Sequence, residues 1–374
     1  MRIRQFTDRR PEKNRMAIDK YELKKKHLTQ LKEYQKELCL KPQLRHLFLE
    51  LTLRCNEHCF HCGSYCGDIR QDEMSFEDYR RILDEVKEDF DIRKIQLCIT
   101  GGEPLLRKDF FEILGYAHSL GYRWGMTSNA TLIDRDTAHR LALTGMRTIS
   151  VSIDGLEETH DRLRGMKGGY RRAMEGIRNL IDEDAFESVQ VTTVINHGNI
   201  GELDELFEIM DGLDIDSWRV IHLEPIGRAL LRPEMMLTKE DYIRLFDFIR
   251  EKRRQGYPLE FGCSHYLGPE YEAEVREWYW LCNAGVYTAS IMANGDIGAC
   301  LDIERRSETI QGNIYKDRFS DVWHNRFEIF RRDFSRENQK CRECGHAGFC
   351  RGDARHSWDY DNMHPMVCMK DILF

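Results

Sequence analysis

From Leu47 to Leu223 the chain alternates between short apolar runs and longer amphipathic stretches, and this rhythm limits its fold more than any other feature. Strand-like runs fall at Leu47–Leu53, Ile95–Ile99, Arg123–Thr127, Thr148–Ile153, Val189–Ile195 and Arg219–Leu223. Between them, Ser75–Lys87, Phe110–Leu120, Arg135–Leu143, Tyr170–Asp182 and Glu202–Met210 carry apolar residues three and four apart, as helices do. A further helix is expected at Lys239–Lys252. Strand–helix–strand repeats need a parallel sheet with right-handed crossovers. Six units make a partial barrel or an open sheet; a full eightfold barrel would need two more. In either form the chemistry belongs at the C-terminal ends of the strands, where the loops converge.

The rhythm stops near Tyr257, where cysteine, glycine and aromatic residues take over. Val286–Met292, Asn294-Gly295 and Asp296–Cys300 read as a β-hairpin with an Asn-Gly turn. At the other end, residues 1–45 hold fourteen Lys/Arg against six Asp/Glu, a net +8, so the remainder carries −16 of the chain's −8 total. A helix is expected there over Tyr21–Leu38, with a stripe of Leu28, Leu31, Tyr34 and Leu38. Its two readings are packing on the body and docking of an acidic partner. Three regions follow: a basic helical arm (1–45), a barrel (46–256) and a small loop-rich domain (257–374).

Thirteen cysteines require a role. Met1–Arg15 is strongly charged and lacks the apolar run of an export signal. No stretch reaches the roughly 20 apolar residues of a membrane span. The expectation is a cytoplasmic protein with no membrane association, and a reducing compartment leaves metal binding or catalysis for the thiols. The negative net charge argues against nucleic acid as a partner.

Cys55, Cys59 and Cys62 form C-x3-C-x2-C in the loop leaving the first strand. Three closely spaced thiolates suit three corners of a cubane [4Fe–4S] cluster and leave one iron open to a ligand. A zinc site completed by Cys66 is the alternative. The second strand ends in Thr100-Gly101-Gly102-Glu103-Pro104, where paired glycines permit close backbone approach to a ligand and Glu103 offers an acceptor for an amine. The fourth ends in Ser150-Val151-Ser152-Ile153-Asp154-Gly155.

In this order the motifs resemble the radical S-adenosylmethionine (SAM) superfamily. With Ser152–Gly155, then His160-Asp161-Arg162-Leu163-Arg164-Gly165 and Pro225-Ile226-Gly227-Arg228, the chain resembles most closely the branch with a C-terminal SPASM domain. The resemblance runs from about Leu47 to Cys368. It implies an α/β fold, a partial (β/α)6 TIM-like barrel followed by a cysteine-rich auxiliary-cluster domain. By it, Cys55, Cys59 and Cys62 ligate the SAM cluster, and Glu103 with the Gly101–Gly102 backbone holds the SAM amine. Ser152 and Arg164 match positions binding the ribose and carboxylate region, and Asp154 lies near enough to assist. His61 stands where relatives often place an aromatic over the adenine.

C-x12-G-x4-C (Cys282, Gly295, Cys300), C-x2-C-x5-C (Cys341, Cys344, Cys350) and Cys368 resemble the SPASM pattern with its two auxiliary clusters. That assigns Cys341, Cys344, Cys350 and Cys368 to the distal cluster, and Cys282, Cys300 and Cys263 to the proximal one. The family's closing cysteine is Ala354 here. The proximal cluster then keeps an open iron, uses Asp353, or is smaller. Asp302 lies near where relatives carry a substrate base. Cys39, Cys66 and Cys98 are unassigned, with Cys39 and Cys98 read as buried filler.

The implied activity is reductive cleavage of SAM to a 5′-deoxyadenosyl radical that removes hydrogen from a substrate. A ribosomally made peptide is the first expectation, as a peptide maturase would take. A tetrapyrrole or other small molecule, and formylglycine formation of the sulfatase-maturase kind, are the alternatives. An external electron donor, flavodoxin or ferredoxin, is implied.

Overall fold

The computed structural model describes residues 20–67, 73–262, 265–277 and 279–374. Strands β1 (His46–Glu50), β2 (Gln96–Thr100), β3 (Arg123–Ser128), β4 (Met146–Ser152), β5 (Ser188–Ile195) and β6 (Ser217–His222) pair in sequence order, all parallel. The first helix, α1, spans Lys20–Leu40. Helices α2 (Phe76–Asp89), α3 (Phe110–Ser119), α4 (Arg135–Leu143), α5 (Glu157–Arg164), α6 (Gly169–Glu183) and α7 (Leu203–Asp211) fill the crossovers. Each exists for a legible reason. In α2, a Ser75–Asp78 capping box satisfies the first turn, and Tyr79, Ile82, Leu83 and Val86 bury one stripe against the sheet. Helix α8 (Lys239–Arg254) repeats the device with Thr238 and Asp241, and buries Tyr242, Leu245, Phe246 and Ile249.

The sheet extends beyond the six expected strands at both ends. A three-residue β7 (Leu259–Phe261) adds parallel to β6, past the expected domain boundary at residue 256. On the other edge β8 (Thr288–Ile291) adds parallel to β1, with His46 opposite Thr288. Strand β9 (Asp296–Gly298) folds back on β8, with Ile291 opposite Ile297, which is the expected hairpin. Gly295 adopts φ +87° in its turn. Strand β10 (Gly312–Asn313) completes ten strands in the order β10-β9-β8-β1-β2-β3-β4-β5-β6-β7. One continuous apolar core runs from Leu47 in β1 to Trp323 and Trp358 near the C-terminus. The cysteine-rich region is thereby joined to the barrel through both backbone pairing and core.

Helix α1 packs on the body, and the part it covers is the C-terminal region: Leu28 packs with Tyr266, Trp280 and Ala354, and Leu38 with Val286 and Tyr287. The buried positions are Leu28, Gln35 and Leu38, with Leu31 half-buried, while Tyr34 is 38% exposed and only its hydroxyl reaches Tyr287. The first nineteen residues lie outside those described. Among the described residues no helix is long and apolar enough to cross a membrane.

Because Leu28 is 2% exposed in a small satellite core, Leu28→Ala should cost about 2–5 kcal/mol in chemical denaturation. Leu40→Ala, at 83% exposed, should stay within about 0.5 kcal/mol of wild type.

Candidate active site

The loop after β1 carries the cysteine triplet and takes its shape from backbone bonds to three other segments. The segment closing β2 donates from Gly102 N to Thr52 O (2.7 Å) and from Glu103 N to Arg54 O (2.9 Å). The end of α5 accepts from His58 N at Arg164 O (2.9 Å) and from Phe60 N at Leu163 O (2.9 Å). The segment after β6 donates from Arg228 N to Cys62 O (3.0 Å), from Arg228 Nε to Cys59 O (2.7 Å) and from Nη1 to Cys66 O (2.9 Å). Two glycines make this possible. A Cβ on Gly102 would collide with the Arg54 carbonyl, and one on Gly227, at φ +54°, with the Cys62 and Gly63 carbonyls. The Gly101–Gly102 pair thus serves close approach to the chain's own backbone, where the sequence suggested approach to a ligand.

The thiols are set up as ligands. The N–H groups of Glu57 and Cys66 donate to the sulfurs of Cys55 (3.5 Å) and Cys62 (3.3 Å). Arg164 Nη1 lies 3.7 Å from the Cys59 sulfur. Such contacts stabilise anionic sulfur and tune a cluster. Burial pushes the Cys55 thiol up to about 11 and Cys59 up to about 12, so thiolate there calls for a metal cation. Cys66 is buried beside Cys62, whose thiol is held low by hydrogen bonding from Cys66. The donor set fits an iron–sulfur cluster.

Over the loop lies a buried charge centre. Arg164 Nη2 is 2.6 Å from Asp154 Oδ2 and its Nη1 is 3.4 Å from Glu57 Oε2. His61 Nε2 reaches the same Asp154 oxygen at 3.0 Å, and Val194 N donates to Oδ1 at 2.8 Å. Burial raises the Asp154 carboxyl, but Arg164 and His61 outweigh it and hold the group below the usual carboxylate range. Glu103 differs. It is fully buried and accepts from Ser128 Oγ (2.9 Å), Asn129 N (2.9 Å) and Leu105 N (3.2 Å), with no cation beside it among the described residues. Burial pushes its carboxyl up to about 7. Ser152 ends β4, half-buried. All these groups sit at the C-terminal ends of the strands.

In the C-terminal region Cys341, Cys344, Cys350 and Cys368 line one cavity of about 360 Å³. His346 N donates to the Cys344 sulfur at 3.4 Å. Cys282 packs beside Ala354, and Cys300 lies 3.9 Å from Asp302, which also approaches Gly63 of the cluster loop. Cys263 lies outside the described residues. Asp353 is engaged elsewhere: Oδ2 is 2.9 Å from His265 Nδ1, and Oδ1 accepts from Tyr266 N at 2.9 Å. Cys39 accepts from Arg351 Nη2 at 3.4 Å, and burial pushes Cys98 up to about 12. Sequence reasoning missed Glu57, the clamp formed by Arg228, and a buried cluster of His222, Glu224, His265 and His356. The alternation His222-Leu223-Glu224 at a strand end was the available signal for the last.

The family profile described as the radical SAM superfamily matches residues 49–210, and that of the SPASM iron–sulfur cluster-binding domain matches 282–345. The chain is 30% identical to the AdoMet-dependent heme synthase of Methanosarcina barkeri over 322 residues, 81% of this chain and 89% of that one. It is also 30% identical to the mycofactocin maturase MftC of Mycobacterium tuberculosis, over 81% of this chain and 76% of the relative. Among solved structures, Streptococcus suis SuiB bound to its precursor peptide SuiA shares the fold, with a TM-score of 0.70 and 20% identity over 92% of this chain and 79% of SuiB. The chain belongs to the radical SAM superfamily and is an enzyme of its SPASM branch.

Proposed function

We propose that this enzyme cleaves SAM reductively at Cys55, Cys59 and Cys62 and removes hydrogen from a ribosomally made peptide, which it modifies oxidatively. The observation that carries the SAM half is the pairing of a thiol-bearing loop with one buried carboxylate, Glu103, that has no cation beside it among the described residues. Once bound, the cluster and SAM supply the 5′-deoxyadenosyl radical for hydrogen abstraction. The chain's own residues position and exclude water. Glu103 receives the SAM ammonium, whose charge stabilises the ionised carboxylate that burial opposes. The Gly101 and Gly102 carbonyls add acceptors, since the N–H groups of Gly102 and Glu103 are spent on the loop. Asp154, whose charge is matched by Arg164 and His61, orients those two groups. His61 faces the adenine, Ser152 the ribose, and Arg164 the carboxylate region through its unpaired Nε.

Cys341, Cys344, Cys350 and Cys368 hold the distal auxiliary cluster. Cys282 and Cys300, with Cys263, hold the proximal one. With Ala354 inert and Asp353 engaged, that cluster keeps an open iron or is smaller. Asp302, between Cys300 and Gly63, is placed to take a substrate proton. An external flavodoxin or ferredoxin supplies electrons. MftC and SuiB support the peptide reading. The 30% identity to a heme synthase over 89% of its length supports a second substrate class, tetrapyrroles.

Anaerobically reconstituted enzyme given dithionite and SAM should release 5′-deoxyadenosine, as measured by chromatography. Replacing Cys55, Cys59 and Cys62 by Ala should abolish release and keep most auxiliary iron; continued release would place SAM cleavage elsewhere. Mass spectrometry after incubation with short peptides encoded near its gene, or with a tetrapyrrole, separates the two substrate classes. Wild type should hold about twelve irons, or about ten with a two-iron proximal cluster. Glu103→Gln should weaken SAM binding about tenfold or more in calorimetry, with iron content unchanged.

A further inference from the structure

Away from the cysteines, four ionisable side chains converge where the barrel meets the C-terminal region. His222 ends β6, Glu224 follows it by two residues, His265 follows β7, and His356 belongs to the last thirty residues. One oxygen is the focus. Glu224 Oε1 lies 3.1 Å from His222 Nε2, 3.0 Å from His265 Nε2 and 3.5 Å from His356 Nε2. None of the four side chains is more than 10% exposed.

Hydrogen bonding alone accounts poorly for this arrangement. A carboxylate oxygen has two lone pairs, so three imidazoles cannot all donate to it. His222 lies near Oε1 but out of alignment: both of its ring nitrogens, and Oε1 itself, are buried without a hydrogen-bond partner. Orphaned buried polar atoms of this kind call for an explanation such as an ion. His265 points the same way. Its Nδ1 faces Asp353 Oδ2 at 2.9 Å, and Asp353 is fixed by the Tyr266 N–H. A carboxylate on Nδ1 favours the tautomer whose Nε2 lone pair faces inward, as in carboxylate–histidine–metal chains; that Nε2 stands 3.2 Å from Glu224 Oε2 as well as 3.0 Å from Oε1.

The dimensions are near those of an ion site. Donors at about 2.0–2.1 Å from a tetrahedral ion stand about 3.3–3.4 Å apart, and Glu224 Oε1 lies 3.1, 3.0 and 3.5 Å from the Nε2 atoms of His222, His265 and His356. The ligand atoms of His222, Glu224 and His265 all lie within 4.8 Å of one another. Phe261 stacks on His222 at 5.7 Å, and Tyr242 packs edge-on at 5.3 Å, which walls the ring off with aromatic surface.

We propose that His222, Glu224, His265 and His356 bind a divalent transition cation, zinc or ferrous iron, separate from the iron–sulfur clusters. Nitrogen and carboxylate donors suit these ions, in contrast to the thiolates of the cluster sites. Four protein ligands leave no open position, so the ion is structural. It ties the end of β6 and the segment after β7 to the C-terminal region, and so fixes the barrel mouth against the auxiliary-cluster domain. The inference is independent of the substrate.

The test is metal analysis of reconstituted enzyme after exposure to zinc, or to ferrous ion under anaerobic conditions, and removal of loose metal with chelator. One equivalent beyond the cluster iron should remain. Zinc X-ray absorption should show only nitrogen and oxygen neighbours near about 2.0–2.1 Å, whereas zinc lodged among cysteines would show sulfur at about 2.3 Å. A high-spin ferrous Mössbauer component distinguishes the iron arm. Glu224→Gln and His222→Gln should lower affinity for that ion about 10–100-fold, with cluster iron and absorption retained. No retained equivalent in wild type with either ion, sulfur neighbours, or full retention in both variants overturns the proposal. The absorption measurement on wild type decides even where a variant fails to fold.

Discussion

The loop that bears Cys55, Cys59 and Cys62 has almost no regular structure, and its shape is imposed by backbone bonds from the end of β2, the end of α5 and the segment after β6. A cluster ligated by three closely spaced thiols needs their Cα positions fixed before metal binds, since a floppy loop would lose the binding energy to ordering entropy. Three clamps from distant parts of the chain supply that order. They also account for two motif glycines: Gly102 and Gly227 are glycine because a carbonyl of the loop occupies the space a Cβ would take. The right-handed parallel winding brings all three clamps to the same end of the sheet.

On that frame, the buried carboxylates divide by whether a cation is already present. Asp154 has Arg164 and His61, so its charge is compensated within the protein. Glu57 shares Arg164. Among the described residues Glu103 has only neutral donors, and its carboxyl rises to about 7. A buried acid with good hydrogen bonds but no counter-charge is the place where a ligand ammonium gains most. The contrast assigns different work to two acids that look alike in the sequence.

The six strands, the hairpin and the helices apart from the short α5 were legible because period-2 and period-3.6 patterns are local. Strand β7 was not, since three residues at Leu259–Phe261 carry no period. Nor was the pairing of β8 with β1, which joins His46 to Thr288 across most of the chain. The cysteines of both regions were readable from spacing, and Cys341, Cys344, Cys350 and Cys368 do share one cavity. The close approach of Gly101 and Gly102 to the Thr52 and Arg54 carbonyls could not be read, because those carbonyls lie in another segment. His222, Glu224, His265 and His356 escaped notice for the same reason: three segments contribute one or two ordinary residues each, and only the fold makes them a cluster.

The basic N-terminal region shows how a sequence can pose a false choice. Packing and attraction to an acidic partner were opposed readings of one helix, yet they concern different faces of α1. Leu28 and Leu38 are buried against the C-terminal region. Lys32 and Lys36 face a groove shared with Arg336, Arg342 and Arg351, where Asp333 is the one acid among the described residues of the lining. The apolar face fixes the helix, and fixing it places its lysines next to arginines that belong to the cysteine-rich region. A cationic surface is thus assembled from two distant segments, with a field stronger than either would have alone. Removing the helix abolishes burial and charge together, so only substitutions confined to one face separate the two contributions.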